Sequence, residues 1–151
     1  MLIKKRYTRE LLANLEGIYK SREEWFSTGD RSIEKAVILA DIFVNYYTCL
    51  ETLLFRISQF FENSLPTERW HSELLRKMNM QIPDIREQVI SDETFAILDE
   101  FRKFRHFKQY YFSMDYDWDR LNFMRKKFDR LLILLSGDFV KFHAFLAHFD
   151  T

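Results

Sequence analysis

The sequence predicts an all-α fold, an up-and-down bundle of four to five helices that forms a single domain over residues 1–151. A chain of this length can bury a continuous core without further support. It contains only three glycines and two prolines, too few for the frequent turns of an all-β fold. Aromatic residues make up 17% of the chain, including sixteen phenylalanines. This content favours a core filled with rings and is also compatible with a ring-rich dimer interface.

Two helices are predicted in the N-terminal part of the chain. The first spans about residues 8–26, because apolar residues recur there every three or four positions, and the sequence at 28–30 ends it. The second covers about residues 32–63 and begins at Ser32, a residue type suited to cap a helix. Pro66 follows it and prevents its continuation.

A third, shorter helix is predicted to start at Thr67, a suitable N-cap, and to extend to Met78. Trp70 and Leu74 lie on its apolar side. The stretch 79–90 contains Pro83 and is interpreted as a loop with at most one helical turn.

A fourth helix opens at Ser91 or Thr94, both of which are eligible caps, and extends to about Tyr111. The acidic and aromatic stretch 113–118 is predicted to be a loop. A fifth helix covers about residues 119–149, where apolar residues again follow helical spacing. The predicted elements therefore form one helical bundle.

The composition also indicates the cellular compartment of the protein. One cysteine, Cys49, excludes an internal disulfide and indicates a reducing compartment, so we expect a cytoplasmic protein without a secretory signal. The longest apolar stretch contains Asp41, Glu51 and Arg56, which predicts that nothing crosses a membrane. Because the net charge is zero, contact with nucleic acid would need a local basic patch.

Several motifs of catalysis and cofactor binding do not occur in the sequence. It has no glycine-rich phosphate loop, no G-x-S-x-G element and no C-x-x-C pair. Glu68 and His71 have the spacing of a di-iron ligand pair, but a di-iron bundle needs two such pairs. We therefore expect neither a metal nor a cofactor.

A basic segment covers residues 101–112, with four positive charges and no acidic residue. Helical spacing puts Arg102, Arg105 and His106 on one side of the fourth helix, together with Gln109. Arginine forms bidentate bonds to phosphate and histidine transfers protons near neutral pH, so this side could bind a phosphodiester. A solvated basic helix would have the same pattern. The candidate RNA- or phosphate-binding residues are Arg102, Lys103, Lys108 and Gln109.

Glu51 lies within the apolar second helix. An unpaired carboxylate there is costly, so we expect Glu51 to contact an arginine or a tyrosine hydroxyl. The side of the fourth helix that carries Arg102 and Arg105 could supply that partner.

Two ordered sets of residues resemble the HepT-like branch of the HEPN superfamily. One set extends from Phe104-Arg105-His106 to Asp117-Trp118-Asp119-Arg120-Leu121. The other contains Tyr47 and Glu51, followed by Leu65-Pro66 and by the stretch from Trp70-His71 to Met78. Together they cover about residues 43–124 in the family's order.

The resemblance implies a HEPN-like helical bundle that forms a homodimer with its active sites at the dimer interface. Many members of this family are metal-independent RNA-cleaving toxins. Their usual antitoxin is a minimal nucleotidyltransferase, which in some systems adenylylates a tyrosine of the toxin. Possible partners are therefore a second copy of this chain, a nucleotidyltransferase and RNA.

The family motif is an arginine, four residues, a histidine, one residue and a tyrosine. Arg105 fits the arginine, but Tyr110 stands in place of the histidine and Phe112 in place of the tyrosine. In the family, the histidine would transfer a proton during attack by the ribose 2′-hydroxyl, while the arginine stabilises the phosphate charge. An ordinary tyrosine titrates at about pH 10 and is a poor proton carrier at neutral pH. Phe112 has no hydroxyl to modify.

Two functions therefore stay open. The first is a dimeric partner-binding module of a toxin–antitoxin-type system with a degenerate catalytic motif. The second is an active metal-independent endoribonuclease in which His106 supplies the imidazole and Arg105 or Arg102 binds phosphate. The catalytic candidates are Arg105, His106 and Tyr110, and the supporting candidates are Glu51 and Asp117.

Overall fold

A computed structural model of the protein describes residues 2–62, 70–110 and 117–148, with side chains for 9–61, 70–108 and 117–148. These residues form six helices and no β-strand longer than an isolated bridge, which confirms the all-α prediction. The helices are α1 (Leu2–Ser21), α2 (Glu23–Ser27), α3 (Ile33–Glu62), α4 (Trp70–Asn79), α5 (Asp92–Tyr110) and α6 (Trp118–Ala147).

Helix α3 lies at the centre of the bundle and packs against α1, α4, α5 and α6. Within the described part of the chain it is the one helix that is long and apolar enough, by length and composition alone, to cross a membrane. More than half of its most apolar stretch is buried inside the bundle. A helix surrounded by other helices has such a composition because its neighbours cover it on several sides.

Aromatic rings fill the core, as the composition predicts. Phe128 of α6 is fully buried, and its ring centroid lies 4.7 Å from that of Tyr19 and 5.2 Å from that of Phe43. The rings of Tyr46 and Phe101 lie at 5.0 and 5.9 Å. Helices α1, α3, α5 and α6 therefore meet around one phenylalanine.

The first predicted helix is in fact two helices, so the boundary predicted for it was wrong. The chain turns at Arg22, between α1 and α2. This turn brings the ring of Phe26 over that of Tyr19, at 6.3 Å between centroids, and buries it. The predicted stop after α2 is confirmed, and Gly29 has a φ of 75° there, a conformation that suits glycine.

Helix α3 begins where the sequence predicts. The Ser32 hydroxyl accepts a hydrogen bond from the backbone N–H of Lys35 at 3.2 Å, as an N-cap does. Thr67 and Pro66 lie outside the described residues, so the predicted start of the third helix stays a prediction.

The loop between α4 and α5 is a tight turn rather than a helical one. Ile82 and Arg86 form an antiparallel bridge, and Asp84 within the turn has a φ of 64°. The buried Arg86 guanidinium donates hydrogen bonds to the carbonyls of Lys77 at 2.6 Å and Met80 at 2.7 Å. One arginine thus binds carbonyls at the end of α4 and fixes the loop that follows.

Helix α5 is capped by Ser91, whose hydroxyl accepts a hydrogen bond from the Thr94 N–H at 3.3 Å. The Thr94 hydroxyl donates instead to the buried carboxylate of Asp138 on α6, at 2.6 Å. The same carboxylate oxygen accepts from the Ser91 N–H at 3.1 Å. Of the two eligible caps, the structure uses Ser91, and Thr94 ties α5 to α6.

Candidate functional site

A buried ion pair joins α3 to α5. The Arg105 guanidinium donates from Nη1 to Oε1 of Glu51 and from Nη2 to Oε2, both at 3.0 Å. The two side chains are only 11% and 6% exposed. The expectation that Glu51 contacts an arginine is therefore confirmed, and the pairing satisfies a carboxylate that would be costly to bury alone.

Further contacts from α3 hold the same guanidinium. Nη1 of Arg105 lies 3.2 Å from the Thr48 hydroxyl oxygen, and the guanidinium carbon lies 4.7 Å from the centre of the Tyr47 ring. Burial raises the pKa of Tyr47, and the neighbouring Glu51 carboxylate raises it further. The buried Tyr47 ring lies over one face of the guanidinium.

An imidazole from α4 completes the arrangement. Nδ1 of His71 lies 2.9 Å from Oε2 of Glu51 and 3.3 Å from Nη2 of Arg105. Its side chain is 40% exposed, far more than the two groups it contacts. We call these three side chains the Glu51–His71–Arg105 cluster. It brings a carboxylate, an imidazole and a guanidinium together from three helices.

A family model described as HepT-like protein matches residues 38–146, which include all three members of the cluster. The chain belongs to the HepT-like family. No curated protein and no solved structure matches this HepT-like chain.

The basic residues predicted to bind phosphate mostly have acidic partners in this HepT-like protein. Arg102 donates to Asp99 from Nε at 2.9 Å, and Lys103 pairs with the same carboxylate at 3.2 Å. Lys108 pairs with Asp41 of α3. The Gln109 side chain lies outside the described part. The basic segment is therefore largely neutralised by its own neighbours.

The structure separates two of the catalytic candidates. Arg105 points into the bundle, whereas His106, the next residue, is exposed. Consecutive helix positions differ by about 100°, so the two side chains leave α5 in different directions. Tyr110 ends α5, but its side chain and all of Phe112 lie outside the described residues.

Asp117 and His71 have structural contacts that the sequence does not reveal. Asp117 is the N-cap of α6, where its carboxylate accepts a hydrogen bond from the Asp119 N–H at 2.9 Å. His71 contacts Glu51, while Glu68, the other half of the di-iron-like spacing, lies outside the described residues. Within those residues no group of three or more potential metal ligands occurs.

Sequence reasoning missed His71 as a site residue. It is 20 residues from Glu51 and 34 from Arg105 along the chain, so helical spacing gives no reason to connect them. The available signal was its place in the family-like stretch after Trp70. An imidazole held between a carboxylate and a guanidinium is chemically suited to proton transfer.

Proposed function

We propose that this HepT-like chain is the dimeric, partner-binding component of a toxin–antitoxin-type system in the cytoplasm, and that its family catalytic motif is degenerate. Its partner is a minimal nucleotidyltransferase. Family membership supports this proposal, as do the residues at the two later motif positions, Tyr110 and Phe112. Tyr110 lacks the imidazole of the motif histidine, and Phe112 lacks the phenol of the motif tyrosine.

The main observation behind the proposal is that the guanidinium of Arg105 is already bound by other side chains inside the bundle. Both of its terminal nitrogens bind Glu51, one of them also contacts Thr48, and Tyr47 covers one face. To bind a phosphate with this guanidinium, the protein would have to leave the Glu51 carboxylate buried with one partner fewer. Breaking a buried ion pair in this way costs about 3–5 kcal/mol, which opposes phosphate binding by Arg105.

Co-purification tests the partner and the dimer. The chain is co-expressed with a minimal nucleotidyltransferase from the same genome, and the complex is measured by size-exclusion chromatography with light scattering. We expect a complex that contains two copies of this chain, and a dimer when the chain is expressed alone. A monomer that does not bind the nucleotidyltransferase would contradict the proposal.

A metal-independent endoribonuclease is the second candidate function, and one contact favours it. The motif arginine does have an imidazole beside it, since Nδ1 of His71 lies 3.3 Å from Nη2 of Arg105. This imidazole comes from α4 instead of position 110. Cleavage of single-stranded RNA by the purified protein in the presence of a metal chelator would support this candidate, and intact RNA would exclude it.

A further inference from the structure

We propose that two copies of this chain bind each other through the outward face of α6, with the two α6 helices antiparallel and crossing at Gly137. The inference rests on the dimer of the proposed function and names its contact surface. Its basis is an exposed apolar stripe on the C-terminal half of α6, together with the charges beside that stripe.

The C-terminal half of α6 is apolar on two opposite sides. Its inner side carries Leu131, Leu135 and Phe142, which are buried in the core. Its outer side carries Ile133 and Val140, which are 66% and 67% exposed. These are the highest values among the large apolar side chains that the structure describes. A helix that is apolar on both sides is normally covered on both sides, so the outer side needs a partner.

The outer residues have the spacing of a helix that packs along a second helix. Four exposed residues follow one another at steps of four, three and four: Ile133, Gly137, Val140 and Ala144. We call these four residues the outer stripe. Steps of three and four keep a contact on the same side of a helix over several turns. The outer stripe therefore favours another helix as its partner.

Gly137 is the point of the outer stripe at which a second helix can approach most closely. Glycine inside a helix is less stable than alanine, so its use there needs a reason. The described part of the chain gives none, because a Cβ at Gly137 would meet no atom within 4 Å and the φ of this residue is not positive. Gly137 leaves a notch between Ile133 and Val140, into which a crossing helix fits.

The outer stripe is complementary to itself. Ile133 lies four residues before Gly137, and Val140 lies three residues after it. When two α6 helices run antiparallel and cross at Gly137, Ile133 of each copy therefore lies beside Val140 of the other. The same contact occurs twice, as a two-fold axis requires. A second copy of this chain thus supplies the surface that the stripe needs.

The charges beside the outer stripe favour the antiparallel arrangement. In a parallel pair, the exposed Lys141 of each copy would face Lys141 of the other, and like charges repel. In an antiparallel pair, Lys141 lies about one helical turn from Arg130 of the other copy. Arg130 is bound there by Glu93 at 2.8 Å, and the Glu93 side chain is still 52% exposed. Its carboxylate is available to the incoming lysine, once on each side of the dimer.

The outer stripe lies away from the motif arginine. Asp138, the residue after Gly137, binds Thr94 near the N-terminus of α5. Arg105 lies about 16 Å further along α5, at 1.5 Å per residue. A dimer formed through the outer stripe therefore keeps its contact distant from Arg105, in contrast to a family dimer with active sites at the interface. This separation agrees with a degenerate catalytic motif.

The test compares Gly137→Leu with Gly17→Leu as its matched control. Both glycines are exposed inside a helix, and a side chain at either position meets no described atom within 4 Å, so both variants should fold. Circular dichroism checks this. The neighbours of Gly17 one turn away, Asn14 and Lys20, are polar, so Gly17 lies on no apolar stripe.

Sedimentation equilibrium measures the dissociation constant of the dimer for each variant. Leucine at position 137 fills the notch and holds the two helices apart. We therefore expect Gly137→Leu to raise the dissociation constant at least about 30-fold, as changes at the centre of an interface do. Gly17→Leu should stay within about threefold of the wild type.

Disulfide cross-linking tests the orientation of the two helices. In a Cys49→Ala background, one preparation carries Ile133→Cys and another carries Val140→Cys, and the two are mixed and oxidised. We expect the mixed disulfide between positions 133 and 140 to predominate. Disulfides that join like positions instead would overturn the antiparallel arrangement.

Three outcomes would overturn the inference, and they affect the proposed function differently. If the wild type is a dimer and Gly137→Leu dissociates no more than Gly17→Leu, the contact lies elsewhere and the dimer of the proposed function stands. If the wild type is a monomer, the inference and the dimer fail together. If Gly137→Leu prevents binding of the nucleotidyltransferase but leaves the dimer intact, the outer stripe is the surface for that partner.

Discussion

At the scale of single residues, Glu51 organises the candidate site. Its two carboxylate oxygens accept both hydrogen bonds from Arg105, and one of them also contacts Nδ1 of His71. Because the carboxylate is almost fully buried, the loss of either partner would leave a buried charge less well compensated. Its need for a partner was predictable from the sequence, since it is a charge inside an apolar helix. The contact between His71 and Glu51 was not predictable from the sequence, because no local pattern connects α4 to this carboxylate.

The first prediction concerns the ion pair between Glu51 and Arg105. Arg105→Met removes the two hydrogen bonds that Arg105 donates to the buried carboxylate of Glu51 and should lower the free energy of unfolding by about 3 kcal/mol. The double variant Glu51→Leu with Arg105→Met removes both charges and should recover much of that loss. Urea unfolding measures both. As a control, Arg102→Met removes a more exposed pair and should cost less than about 1 kcal/mol. Equal losses in the single and double variants would contradict this account.

At the scale of elements, polar contacts hold α5 both near its N-terminus and further along its length. Near its N-terminus, Thr94 and Ser91 bind Asp138 of α6, and further along Arg105 binds Glu51 of α3. The long helices and the Ser32 and Ser91 caps were predictable, because apolar periodicity and capping residues are local signals.

Two features of the elements were not predictable from local signals. The turn at Arg22 and the bridge at Ile82 depend on tertiary contacts. Phe26 stacks on Tyr19 from a different helix, and Arg86 binds carbonyls six and nine residues away. The spacing of apolar residues shows which face of a helix is apolar. It does not show which side chain from outside the helix ends that helix.

The second prediction concerns the contact between α5 and α6. Asp138→Ala removes the acceptor of the buried Thr94 hydroxyl and of the Ser91 N–H, so it should lower the free energy of unfolding by about 2 kcal/mol. Thermal or urea unfolding measures the loss. Ser136→Ala, an exposed position two residues earlier, should change stability by less than about 0.5 kcal/mol. If both variants lose the same amount, the Asp138 contacts do not hold α5.

At the scale of the whole molecule, the ring contacts around Phe128 join four helices into one core. The sequence predicted the ring-filled core from composition alone. The Glu51–His71–Arg105 cluster lies at the junction of α3, α4 and α5, and its members are up to 54 residues apart in the chain. Such a site emerges only from the packing of helices, which explains why helical spacing pointed instead to His106.

The third prediction concerns the core of the whole fold. Phe128→Ala should lower the free energy of unfolding by about 3–5 kcal/mol, because it removes a fully buried ring and leaves a cavity. Phe107→Ala is the matched control, since that ring is 54% exposed, and it should cost less than about 1 kcal/mol. Denaturant titration distinguishes the two. Similar losses would mean that the core is not centred on Phe128.

The Arg86 turn has a consequence for recognition. Met80 and Ile85 present apolar side chains on this turn, 57% and 44% exposed, while the Arg86 guanidinium fixes the backbone beneath them. Ordering a flexible backbone costs about 1–2 kcal/mol of conformational entropy per residue. A protein that docks against these two side chains would avoid that cost, because the surface it meets is already rigid before the encounter.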